Sequence, residues 1–80
     1  MLTPSSNTRI FIGLDPVDMR GSFDALAGHV RRLHQDPLDG NLYIFVNRRR
    51  KLLKAIWFDR TGWALYAKRL ERGTFELPRP

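Results

Sequence analysis

No cysteine occurs among the 80 residues, which excludes disulfides, thiolate nucleophiles and sulfur-ligated zinc and agrees with a reducing compartment. The core must hold without covalent staples. Long apolar runs are missing as well: no stretch reaches the roughly 18 apolar residues of a membrane span, and no charged segment leads into an apolar one at the start. A cytoplasmic protein with no membrane partner is expected. The chain is also short, and a domain of this size hides only about 60 to 65% of the surface its unfolded chain exposes. One domain without a deep catalytic cleft is expected.

Signatures of catalysis are absent too. No Walker A sequence, G-x-G-x-x-G run or G-x-S-x-G elbow occurs, so neither a phosphate-cradling loop nor an activated serine is read. His29 and His34 are five apart with no acidic residue between them, which breaks the i, i+4 spacing of an H-E-x-x-H zinc helix. No metal, cofactor or catalytic residue is expected. Asp15, Asp18, Asp36 and Asp39 are carboxylates of the kind that two-metal sites use. Each pair, however, brackets a proline at a predicted turn or helix cap, where aspartate is favoured for its bonds to backbone N–H groups. Turn formation is the better reading.

What is present is positive charge in one half of the chain. Residues 1–47 carry Arg9, Arg20, Arg31 and Arg32 against Asp15, Asp18, Asp24, Asp36 and Asp39. Residues 48–72 carry Arg48, Arg49, Arg50, Lys51, Lys54, Arg60, Lys68, Arg69 and Arg72 against only Asp59 and Glu71. The formal net charge of +6 therefore arises in the second segment. Such a field attracts polyanions, most simply nucleic acid, and membrane surfaces or acidic protein patches less specifically.

Along the chain, residues 1–8 are small, polar and proline-containing and read as a mobile arm preceding one domain over residues 9–78. Residues 9–14 read as a first strand ended by Asp15-Pro16. Met19, Phe23, Leu26, Val30 and Leu33 fall on one helical stripe, which predicts an amphipathic helix over 18–34, N-capped by Asp18 or by Ser22 and closed by Asp36-Pro37. Asp39-Gly40-Asn41 predicts a turn into a second strand, 42–46. The charged residues 47–51 predict a hairpin tip, with a return strand over 52–58. Asp59-Arg60-Thr61-Gly62 predicts a tight turn with Gly62 left-handed, followed by a strand from Trp63 to about Leu70. Residues 74–77 alternate briefly before Pro78 and Pro80. The fold class is α/β of the α+β kind, one amphipathic helix on a mainly antiparallel sheet of about four strands. Both faces of these strands are apolar, with Phe45, Ala55, Trp57, Trp63 and Leu65 competing against Ile44, Val46, Ile56 and Phe58 for the side under the helix. One face should be partly exposed or covered elsewhere.

The candidate nucleic-acid site is Arg48, Arg49, Arg50 and Lys51 at the tip, extended along the sheet by Lys54, Lys68, Arg69 and Arg72. A charge run is often only a solvated loop. Here few acids interleave with the cations, and Tyr43, Trp57, Trp63 and Tyr66 on flanking strands supply rings that can stack on bases when exposed.

Asp15-Pro16-Val17-Asp18-Met19-Arg20, Phe23-Asp24-Ala25-Leu26-Ala27, Asp36-Pro37, residues 40–45, Asn47-Arg48-Arg49-Arg50 and residues 68–75 form an ordered series. Together they resemble TnpB, the second-reading-frame accessory protein of the sixty-six type of bacterial insertion sequences. The likeness runs from about Arg9 to Pro78. It implies that a separate, larger protein carries the carboxylate-based transposase chemistry and that this chain assists transposition. The family's motif positions map to Asp18, Arg20, Arg48, Arg49, Arg50, Lys54, Lys68, Arg69, Arg72 and Gly73, none with a catalytic role. Departures fall at Gly21-Ser22, where a basic residue then glycine is usual, and at Lys51, where an acid is usual. Family members commonly continue past the point where this chain stops, so a shortened copy is expected. Two function classes follow: a nucleic-acid-binding module acting on the DNA of transposon ends, and an interaction protein that docks on the transposase.

Overall fold

The computed structural model describes residues 8–78. The strands are β1 (Ile10–Ile12), β2 (Leu42–Val46), β3 (Leu52–Phe58) and β4 (Trp63–Arg69), and one helix, α1 (Phe23–Arg32), lies between β1 and β2. The sheet order is β1-β2-β3-β4. β1 pairs parallel to β2, while β2–β3 and β3–β4 are antiparallel. The expected helix on a mainly antiparallel sheet is thus found, with β1–α1–β2 as a parallel crossover, since parallel neighbours need a long connection across one face. All of the expected arm except Thr8 lies outside the described residues.

β1 is shorter than the expected 9–14. Its hydrogen bonding continues one step further, from the Gly13 N–H to the Ile44 carbonyl at 2.8 Å. Gly13 is buried there, and a Cβ at this position would meet Cδ1 of Phe45 at 2.8 Å. Only glycine lets β1 leave the sheet so close to that ring.

The helix is also shorter than the expected 18–34, because Asp18 does not cap it. Its carboxylate instead accepts from the Arg20 N–H at 2.9 Å and pairs with the Arg20 guanidinium at 2.7 Å, an Asx-type turn that turns Met19 out of the helix. Ser22 occupies the N-cap position without a side-chain cap bond. At the other end His34 takes φ 60°. The His34 and Gln35 N–H groups return to the carbonyls of Arg31 and Val30, a Schellman closure with histidine where glycine is usual. The helix therefore stops before Asp36-Pro37. The short segment 74–77 forms no strand, consistent with the prolines that follow it.

Register splits both expected apolar sets: Ile56 and Phe58 share the helix side with Phe45, Trp63 and Leu65, while Ala55 and Trp57 fall on the other side with Ile44 and Val46. Tyr43 pairs with Ile56 and Ile56 with Leu65, and alternation then places Phe45, Phe58 and Trp63 on the same side. The core is Leu26, Val30, Tyr43, Phe45 and Ile56, flanked by Phe11, Val17, Met19, Trp63 and Leu65. Met19 joins it from the loop rather than from the helical stripe, and Phe23 and Leu33 are only partly covered. The opposite face carries Ile10, Ile12, Leu42, Ile44, Val46, Leu53, Ala55, Trp57, Ala64, Tyr66 and Lys68, of which Val46 and Ala55 are buried. Ile10 is 61% and Tyr66 52% exposed, so this is the face left partly open.

Candidate nucleic-acid interface

The tip between β2 and β3 owes its shape to Asn47. Its side-chain oxygen accepts from the N–H groups of Lys51 and Leu52, at 3.0 and 3.2 Å. Its backbone carbonyl accepts from the Arg50 N–H at 2.9 Å. Arg50 is consequently held at φ 55°, a conformation an L-residue adopts only when its surroundings compel it. The chain leaving β4 then packs beside the tip. The Leu70 N–H donates to the Lys51 carbonyl at 2.8 Å, the Phe75 N–H to the Arg50 carbonyl at 2.7 Å, and the Lys51 ammonium to the Gly73 carbonyl at 3.0 Å. The turn bearing Arg72 is thereby brought to the same end of the molecule as Arg48, Arg49 and Arg50.

Of the eight candidate cations all but Lys54 are exposed, and among the described residues the one ion pair is Arg20 with Asp18. Lys51 and Lys54 are already engaged. The Lys54 ammonium, half-buried on the helix side, donates to the carbonyls of Met19 at 2.9 Å and Gly21 at 3.3 Å, tying the segment before α1 to the sheet. Lys68 and Arg69 are successive residues of β4 and so point to opposite faces. The patch is a basic end with one lysine on the open face, not a continuous stripe.

The rings also separate. Tyr43 is buried and stacked on Phe11 at 5.1 Å, its hydroxyl donating to Asp39 at 2.6 Å. Burial, then that bond, pushes its pKa above the ordinary phenol value. Trp63 packs edge-on against Phe58 on the helix side. Trp57 and Tyr66 remain on the open face.

Asp36, Asp39 and Asp59, like Asp18, form turns. Asp36 accepts from the Leu38 N–H, Asp39 from the Asn41 N–H, and Asp59 from the Thr61 hydroxyl and the N–H groups of Thr61 and Gly62. The bond from Thr61 helps hold the Asp59 carboxyl below its ordinary value. In that turn the left-handed residue is Arg60, at φ 85°, and not Gly62, because Asp59 gathers three donors from the residues after it. Among the described residues no three acidic, histidine or cysteine side chains gather as a metal site. His29 lies beside Phe45, its Nδ1 accepting from the Arg32 guanidinium at 3.2 Å. Burial, then that cation, lowers its pKa. It borders an open cleft of about 320 Å³ with Val17, Arg32 and Phe45. No helix among the described residues is long and apolar enough to cross a membrane.

A family model described as "IS66 Orf2 like protein" matches residues 8–80. The chain belongs to this family. It is accordingly a transposition-associated accessory protein of the insertion-sequence type rather than a member of a known enzyme family. Two proteins of Sinorhizobium fredii (strain NBRC 101917 / NGR234) are similar to it over 98% of its length. "Uncharacterized protein y4hO" is 46% identical, with 69% of its own length covered, and "Uncharacterized protein y4jC" is 35% identical, with 68% covered. No solved structure matches the chain.

Proposed function

We propose that this protein assists transposition without catalysing it, by binding the DNA of transposon ends through its basic end. The observation that carries the reading is the tip itself. Arg48, Arg49 and Arg50 are exposed, have no acidic partner among the described residues, and stand on a loop held rigid by Asn47 and by the turn over residues 70–75. A preformed loop loses little entropy when it engages phosphates. Arg72 joins the tip, Arg69 and Lys68 extend it on the two faces of β4, and Lys51 and Lys54 act mainly by holding the backbone.

The test is the salt dependence of binding. For duplex DNA, each phosphate that is no longer neutralised should lower the magnitude of the log-log salt slope by about 0.9. Replacing Arg48, Arg49 and Arg50 together with alanine should reduce it by roughly 2 to 3, for all sequences alike. An unchanged slope in a folded triple variant rejects the reading.

A second reading, docking on the transposase, draws on the other face. Ile10 and Ile12 are exposed apolar residues at the sheet edge, a feature more typical of protein contacts than of phosphate contacts. It expects association with transposase that survives the triple substitution and disappears when these isoleucines become charged.

A further inference from the structure

We infer that the open face of β3 and β4 takes up single-stranded DNA, with Trp57 and Tyr66 stacking on two unpaired bases and Lys68 meeting the backbone on its way to the arginine tip. The inference rests on the DNA-binding reading and adds the form of DNA and a second binding surface.

Register supplies the geometry. Trp57 pairs with Ala64, Ala55 with Tyr66, and Leu53 with Lys68. Trp57 and Tyr66 are therefore diagonal neighbours on one face, about 7 to 8 Å apart between their Cα atoms. Lys68 follows Tyr66 two residues along the same strand, a further step of about 7 Å. Both steps are roughly twice the about 3.4 Å rise per nucleotide of a duplex strand. That spacing suits bases splayed apart, not bases stacked on one another. It also points toward the end of the sheet that bears Arg48 and Arg49, since β3 begins directly after the tip.

Tyr66 is exposed and Trp57 is half-buried beside it, each without an aromatic partner among the described residues. The residue opposite each in the register is an alanine, Ala64 for Trp57 and Ala55 for Tyr66. Neither ring takes part in the aromatic pairs found among the described residues, which join Phe11 to Tyr43, His29 to Phe45 and Phe58 to Trp63. Tyr66 is 52% exposed. No acidic residue occupies an outward position of β3 or β4, so nothing repels a phosphate there. A sheet surface can reach the flat faces of bases only when they are unpaired, since a duplex buries them in its own stack. The aliphatic side chains on the β1 side of this face, Ile10 and Ile12, lie two strands from Trp57 and three from Tyr66.

The test compares a short labelled oligothymidylate with a duplex of similar length, titrated with the full chain at fixed salt. Tyr66→Ala should weaken binding of the single strand by roughly 5- to 100-fold, the effect of removing one base-stacking ring. It should leave the duplex unchanged. Tyr66→Phe keeps the ring and should bind the single strand as the native chain does, which separates stacking from loss of fold. Equal single-strand affinity in Tyr66→Ala and native protein overturns the inference, as does equal weakening toward both DNAs. Should Tyr66→Ala be silent while the triple arginine substitution weakens duplex binding, the face fails and the basic-end reading stands. If the native chain binds neither DNA at low salt, both fall.

Discussion

Replacing Lys54 with methionine separates a lysine that touches DNA from one that holds the fold. The methionine keeps the apolar stem beside the helix but removes the ammonium that reaches the carbonyls of Met19 at 2.9 Å and Gly21 at 3.3 Å. Hydrogen bonds from a charged donor contribute about 1.5 to 3 kcal/mol. The carbonyls belong to a half-exposed segment that water re-enters when the lysine is gone, and the second bond is long, so the low end applies: about 1.5 kcal/mol. In a domain of this size each kcal/mol moves Tm by about 4 to 8 °C, which gives a fall of roughly 6 to 12 °C by thermal circular dichroism. The salt slope for duplex DNA, measured well below Tm, should not change. Unaltered Tm with a slope smaller by about 0.9 would refute the reasoning, because Lys54 would then be directing its charge at phosphate rather than at the segment before α1.

Three further outcomes are expected. The Asp18 carboxyl, held down to about 2 by its hydrogen bonds to Arg20, has a lower pKa folded than unfolded. The pair's contribution is therefore complete above the ordinary carboxylate range and lost as pH falls through about 2; a carboxyl-carbon NMR titration should show this midpoint, and Arg20→Ala should raise it. Gly40→Ala, at φ 82°, should cost about 1 to 2 kcal/mol, whereas Gly62→Ala, with open space for a Cβ and no left-handed φ, should stay within about 0.5 kcal/mol of the native protein in urea unfolding. Incubation with Mg²⁺ or Mn²⁺ should leave supercoiled DNA intact, and cleavage abolished by substituting Asp15, Asp18, Asp36 or Asp39 would contradict the accessory role.

The strands were legible because each is an apolar run between strong turn signals, and β2, β3 and β4 begin and end within a residue of where those signals put them. The helix bounds were not. The stripe from Met19 continues the helical period straight through a segment that the Asp18–Arg20 turn removes from the helix, and periodicity carries no trace of that local competition. The grouping of residues by face was also hidden, since both faces are apolar and only the register between strands decides which residues share a side. The pairing of Tyr43 with Ile56 settled it. Gly62 misled for a related reason: the left-handed position went to Arg60 because the Asp59 side chain, not glycine's freedom, sets the turn.

At the site, charge was legible and engagement was not. The surplus over residues 48–72 can be counted from side chains, but the acceptors that occupy two of those cations are backbone carbonyls. Those of Met19 and Gly21 lie 35 and 33 residues from Lys54, and that of Gly73 lies 22 residues from Lys51. Every residue has a carbonyl, so no pattern of side chains announces which one a lysine will reach. The same holds for the rings. Tyr43, Trp57, Trp63 and Tyr66 are alike as candidates until register assigns two of them to the core side and two to the open face. What the fold adds is therefore selection. It gives Lys51, Lys54, Tyr43 and Trp63 structural partners, and leaves Arg48, Arg49, Arg50, Lys68, Arg69, Arg72, Trp57 and Tyr66 as the smaller set on which binding experiments should act first.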